Sequence, residues 1–202
     1  MTEQMSVKIA ALPSLRLTVE AHGLMAKKAL GQNFLLDQNI TDKIINLSLQ
    51  KQNKKDFSGA NVFEVGPGPG GLTRAVLAAE PKSLTVVEMD ERCIAIMNEI
   101  KEKTGDIIHI INGDAMQTDF SVLAPAPRHI ISNLPYNISV PLLVGWLKNI
   151  NAYDSLTLMF QKEVAERITA PIKTKDYGRI SVLSQLQCRI DHLLDLNPCC
   201  FS

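Results

Sequence analysis

The chain of 202 residues, 46% hydrophobic and 21% charged, has the composition of an ordinary soluble globular protein, with length for one full domain and a short extension. No apolar run reaches the roughly 18 residues of a membrane span, the first twenty residues lack the apolar block of a secretory signal, and Cys93, Cys188, Cys199 and Cys200 show neither zinc spacing nor a disulfide framework. The zero net charge is uneven: residues 1–60 hold eight Lys/Arg against five Asp/Glu, 61–159 seven against eleven, and 160–202 six against five. That pattern suits either charge scattered over solvated faces or basic flanks for a polyanion around an acidic middle for a cation.

Residues 1–26 show no clear periodicity and are expected to form a flexible N-terminal arm, with a single domain over 27–202. In "DQNITDKIINLSL", Ile40, Ile44, Ile45 and Leu47 recur at helical spacing behind Asp37, a suitable N-cap. From Asn61 onward short apolar runs alternate with helical patterns. Strands are expected at Val62–Val65, Leu84–Val87, Ile107–Ile111, Arg128–Ser132 and Ser155–Phe160. Helices are expected at Leu72–Ala79, Glu91–Lys101, Pro141–Leu147, Lys162–Thr169 and through "GRISVLSQLQC", and "RIDHLLDL" suits a last strand. Strands alternating with helices of this length predict an α/β fold: a doubly wound, mostly parallel sheet with helices on both faces. The ending "NPCCFS" is turn-like and suggests a chain cut before a further domain.

"VFEVGPGPGGLTRAVL" reads strand, glycine loop, helix. Gly66, Gly68 and Gly71 satisfy G-x-G-x-x-G, and Glu88 follows Gly66 by 22 residues at the end of the next strand, the layout of a nucleotide cofactor site with an acid for the ribose hydroxyls. A dinucleotide needs backbone N–H groups aimed at its pyrophosphate, and Pro67 and Pro69 remove two of them. Glu64, Glu88, Asp90 and Asp114 crowd the strand ends with carboxylates instead. S-adenosylmethionine, which has a sulfonium and a ribose but no phosphate, fits this environment better than NAD. Asp114 in "NGDAM" could accept from the adenine amino group or simply shape a turn. Glu64, two residues before Gly66, is expected to support the loop.

A fourth strand ends in Asn133-Leu134-Pro135-Tyr136. The Asn133 side-chain oxygen and the Leu134 carbonyl are both acceptors, and Pro135 stiffens the backbone presenting the second. Two convergent acceptors suit a planar exocyclic amine, and holding its hydrogens turns the nitrogen lone pair toward an electrophile. Tyr136 offers a stacking face worth about 1–3 kcal/mol. A paired base cannot enter such a pocket, so the target is unpaired or flipped out. A β-turn with a core Tyr is the plainer alternative.

"KKALGQNFLLDQNI", "FEVGPGPGGLT", "VVEMD", "NGDAM", "ISNLPYNIS" and "MFQKEVAERI" together resemble the KsgA/RsmA family of small-subunit rRNA adenine dimethyltransferases. The resemblance implies a Rossmann-like S-adenosylmethionine-dependent methyltransferase fold, acting in the cytoplasm as a monomer without an obligate protein partner. It implies dimethylation of N6 on two adjacent adenosines in the 3′-terminal hairpin of small-subunit rRNA, within an assembling 30S particle. By motif position, Asn33, Leu35, Gly66, Gly68, Glu88, Asp114 and Asn133 would contact the cofactor, and Asn133, Leu134, Pro135 and Tyr136 would carry the transfer. Phe34 would help enclose the pocket, while Phe160 is either a second aromatic wall or a core residue. No metal is implied. Lys27, Lys28, Lys162, Arg167, Lys173, Lys175 and Arg179 are candidates for phosphate contact. The resemblance implies a small helical C-terminal domain after the catalytic one, and the sequence is expected to stop before it at Ser202. Erm-type large-subunit rRNA methyltransferases and non-catalytic nucleic-acid-binding relatives are the alternatives.

Overall fold

A computed structural model describes residues 2–24 and 34–201. Five strands, β1 (Asn61–Val65), β2 (Ser83–Glu88), β3 (Ile108–Asn112), β4 (Arg128–Asn133) and β5 (Ser155–Met159), form one sheet in the order β3-β2-β1-β4-β5. All four pairings are parallel. The strand order reverses between β1 and β4, and a crevice at such a switch point, beyond the carboxyl ends of the strands, is where open α/β sheets take ligands.

Nine α-helices accompany the sheet among the described residues: α1 (Thr2–Ala10), α2 (Leu15–Ala21), α3 (Gln38–Lys51), α4 (Gly71–Ala78), α5 (Glu91–Thr104), α6 (Phe120–Leu123), α7 (Ser139–Leu147), α8 (Lys162–Thr169) and α9 (Arg179–Gln187). Side-chain alternation along β1 divides the core. Val62 packs with Ile44, Ile45, Leu72, Val76 and Ile96 from α3, α4 and α5. Phe63 and Val65 turn the other way, onto Phe120, Leu142 and Trp146 from α6 and α7. Helices therefore cover both faces, as expected of a doubly wound fold. Asp37 caps α3 by accepting from the Asn39 N–H at 2.9 Å, and Asp90 caps α5 from the Arg92 N–H at 3.0 Å.

Two expectations are corrected. Residues 2–24, expected as part of a flexible arm, are largely helical and docked, with Leu15, Val19 and Leu24 buried. The Arg74 guanidinium donates to the Pro13 carbonyl at 2.6 Å, Arg92 to the Gly23 carbonyl at 3.0 Å, and His22 meets Glu99 at 2.9 Å. Helices of nine and seven residues are marginal alone: these long-range bonds and the buried Leu15 and Val19 hold α2, and α1 is held by Lys8 Nζ donating to the Thr104 carbonyl at 3.4 Å and by Ile9 packed against the core. The strand expected at "RIDHLLDL" is not formed: residues 189–196 find no ladder partner among the described residues, and Leu194 and Leu196 pack on the core without one.

Candidate active site at the carboxyl edge of the sheet

The loop from β1 to α4 begins with the Gly66 N–H donating to the Val87 carbonyl at 2.9 Å, which ties it to the end of β2. Gly68 has φ +53°, and a Cβ there would lie 2.9 Å from the Phe34 ring, so both its conformation and its neighbour exclude a side chain. Phe34 thus lies directly against the glycine loop.

The end of β4 is joined to the same loop. Ser132 Oγ donates to the Val65 carbonyl at 2.6 Å. A Cβ on Gly66 would stand 3.5 Å from the Pro135 ring, so the Asn-Leu-Pro-Tyr turn rests on the glycine loop. The turn is closed by the Ile138 N–H on the Pro135 carbonyl at 3.2 Å and by Ser139 Oγ on the Tyr136 carbonyl at 3.0 Å. Asn133 pairs in register with Met159 at the end of β5.

Phe34, Leu35, Glu64, Gly66, Gly68, Asn133 and Met159 line one small cavity of about 30 Å³ at the switch point. Five residues expected in the site therefore meet at one place. Glu88 adjoins it: its carboxylate accepts from the Met89 N–H at 2.7 Å, the Asp90 N–H at 2.9 Å and the Gly68 N–H. Burial pushes the Glu88 carboxyl upward against those stabilising bonds. Asp114 stands further out, exposed at the tip of β3, where its side chain accepts from the Met116 N–H at 2.8 Å and starts a turn of 3₁₀ helix. The Gly113 N–H bonds the Glu88 carbonyl at 3.0 Å and sets that tip beside β2.

Tyr136 is half-buried next to the loop contact, and Leu134 is buried. Phe160 is half-buried and packs on both the α7 core and the cluster of Leu143, Leu147 and Ile168, so its contacts are those of a core residue. Asn33, Lys27 and Lys28 lie outside the described residues. Lys162, Arg167, Lys173, Lys175 and Arg179 are exposed. Among the described residues no three His, Cys, Asp or Glu side chains converge as a metal site, and no helix is long and apolar enough to cross a membrane.

Two lining residues were not singled out as pocket walls from sequence. Met159 has no sequence signal; cross-strand pairing with Asn133 brings it in. Glu64 does have one, an acid in the middle of a fully buried strand. It is 1% exposed and accepts from Thr73 Oγ1 at 2.8 Å, a bond from the glycine loop's strand to α4. Burial raises its carboxyl from 4.5 to about 8; the Thr73 bond opposes the rise and Glu88 adds to it.

The model of the ribosomal RNA adenine dimethylase family matches residues 23–202. The chain belongs to that family. A family relative from Gluconobacter oxydans, named Ribosomal RNA small subunit methyltransferase A, is 48% identical over 95% of this chain and 61% of its own length. The chain spans about three-fifths of the length of the first curated relatives it matches, 61% and 64%. Among solved structures, a dimethyladenosine transferase from Plasmodium falciparum superposes with a TM-score of 0.66 at 29% identity, over 78% of this chain and 54% of that one. The 23S rRNA methyltransferase ErmE is similar at a TM-score of 0.54 and 27% identity, over 75% of this chain and 55% of that one.

Proposed function

We propose that this protein dimethylates N6 of two adjacent adenosines in the 3′-terminal hairpin of small-subunit rRNA, with S-adenosylmethionine as methyl donor. It works in the cytoplasm, as a monomer, on an assembling small subunit. The observation that carries the proposal is the contact of Pro135 with Gly66, which joins an amine-holding turn to a cofactor loop around one cavity.

The residues present fit S-adenosylmethionine. The loop has Gly66 and Gly68 where side chains would fill the cradle, Pro67 and Pro69 where a pyrophosphate would need donors, and the buried Glu64 carboxyl facing the cavity. When bound, the cofactor supplies an electrophilic methyl on a sulfonium. Glu88 would take the ribose hydroxyls and Asp114 the adenine amino group, with Asn33 and Leu35 closing over the methionine end. Asn133 and the Leu134 carbonyl would accept the two N6 hydrogens of a flipped adenine, with Tyr136 under its ring. Holding amine and methyl in line supplies most of the acceleration as orientation, so no general base is needed. The surplus proton leaves to water.

Small-subunit rather than large-subunit rRNA is supported by the curated relatives, which carry the small-subunit name at 44–48% identity, against 27% for ErmE. Asn133→Ala tests the site: methylation of small-subunit rRNA should fall by roughly 10²–10³-fold while the fold persists. Near-wild-type activity would refute the role of Asn133.

A further inference from the structure

One buried titratable group in the site has no part in the transfer as described above. Glu64 points from β1 toward α4 and lines the cavity together with Leu35, Gly66, Gly68, Asn133 and Met159. Glu88 and Asp114, assigned to the nucleoside end, do not line it. Glu64 therefore shares a cavity with Asn133, at the end where methyl and amine would meet. Its one hydrogen-bond donor among the described residues is the Thr73 hydroxyl. Arg74, next in the chain, turns its guanidinium to the Pro13 carbonyl and Thr18 Oγ1. Among the described residues the charged group that bears on Glu64 is Glu88 from β2, which carries the same sign and lies beside Asp90 and Cys93. β4 and β5 present only Asn133 and Met159 to the cavity. A buried carboxyl with a single neutral donor and a like-charged neighbour is held in its neutral form until a cation arrives.

We propose that Glu64 is a charge selector for the cofactor: it gives its proton to solvent when a sulfonium occupies the cavity and keeps that proton when the neutral thioether product does. This rests on the function proposed above. The balance is one carboxyl proton lost to buffer on binding S-adenosylmethionine, and one regained from solvent once the methyl has left. Nothing passes from Glu64 to the amine. The Glu64 carboxylate stabilises the charged donor and is left uncompensated beside the neutral product, so discrimination against S-adenosylhomocysteine grows as pH rises.

Titration calorimetry of the protein with each ligand, at pH 6.5 and 8.5 and in two buffers of different ionisation enthalpy, tests this. With the free carboxyl at about 8, the affinity ratio of S-adenosylmethionine to S-adenosylhomocysteine should rise by roughly 25-fold across that interval where the thioether leaves the carboxyl at its free value, and by up to roughly 100-fold where the thioether keeps it protonated throughout. More protons should be released with the sulfonium than with the thioether. The ligands' own α-amino groups titrate nearby, so Glu64→Gln, which keeps the shape and can still accept from Thr73, is the reference; its ratio should change far less. Equal proton release for the two ligands in the wild-type protein would overturn the proposal without the variant. An equal pH trend in wild type and Glu64→Gln would also overturn it. Failure of both ligands to bind at any pH would instead overturn the proposed function, and this inference with it.

Discussion

Replacing Glu64 by Gln should make the ligand-free protein more stable at neutral pH, although it removes a charged residue from the site. In the unfolded chain this carboxyl titrates at 4.5, and in the fold burial raises it to about 8. Between those values the folded state binds more protons than the unfolded one. The stabilisation is therefore fully present below 4.5 and is lost as pH rises through 8. At pH 7 the gap is 7 − 4.5 = 2.5, which at about 1.36 kcal/mol per unit is roughly 3 kcal/mol of ionisation cost. Gln carries no such cost, but it buries an amide N–H₂ in place of the carboxyl, which costs about 1–3 kcal/mol at every pH. The pH-dependent part is the diagnostic one: between pH 5 and pH 8 the variant should gain roughly 3 kcal/mol on the wild type. For a chain of this length that corresponds to roughly 6–12 °C in Tm. Thermal unfolding of both proteins across that range, without ligand, measures it. A Tm difference that does not change with pH would refute the raised carboxyl, and with it the role of burial at this position.

Three further outcomes follow from the same structure. Gly68→Ala should cost about 1–2 kcal/mol through its φ of +53° and push the Phe34 ring aside, weakening S-adenosylmethionine binding by about tenfold or more in calorimetry. His129, fully buried and bonded to Ser155 and Lys54, has its imidazole lowered from 6.5 to about 4 by burial and by the Lys54 charge. Stability should therefore be lost as pH falls from 6.5 toward 4, by about 2 kcal/mol at pH 5, with an NMR titration showing the ring still neutral there. Arg74→Met should remove the bonds to Pro13 and Thr18, lowering stability by about 1–2 kcal/mol and opening residues 15–21 to amide exchange before the sheet.

Much of the framework was legible because its causes are local. Each β1, β2 and β4 strand announces itself as an apolar run, and Asp37 marks a helix start within two residues of the N–H it caps. The glycine loop is legible because its conformation restricts residue type at the position itself. What the sequence conceals is lateral. Phe34 meets Gly68 across 34 residues, and Met159 reaches the cavity only through its register with Asn133. The two N-terminal helices show no period because they are short; the second is held by Arg74 and Arg92, over 60 residues away, and the first by the bond of Lys8 to the Thr104 carbonyl. Residues 189–196 have a strand's composition but no neighbouring strand among the described residues, and composition alone makes no ladder.

The joined cavity is proposed above as a methyltransferase site for small-subunit rRNA. The direct measurement incubates the protein with unmethylated small subunits and methyl-labelled S-adenosylmethionine, followed by nucleoside analysis of the separated rRNAs. Label recovered as N6,N6-dimethyladenosine, at two adjacent positions of the small-subunit 3′-terminal hairpin, is the predicted result. Label in large-subunit rRNA, or in neither, would contradict the account.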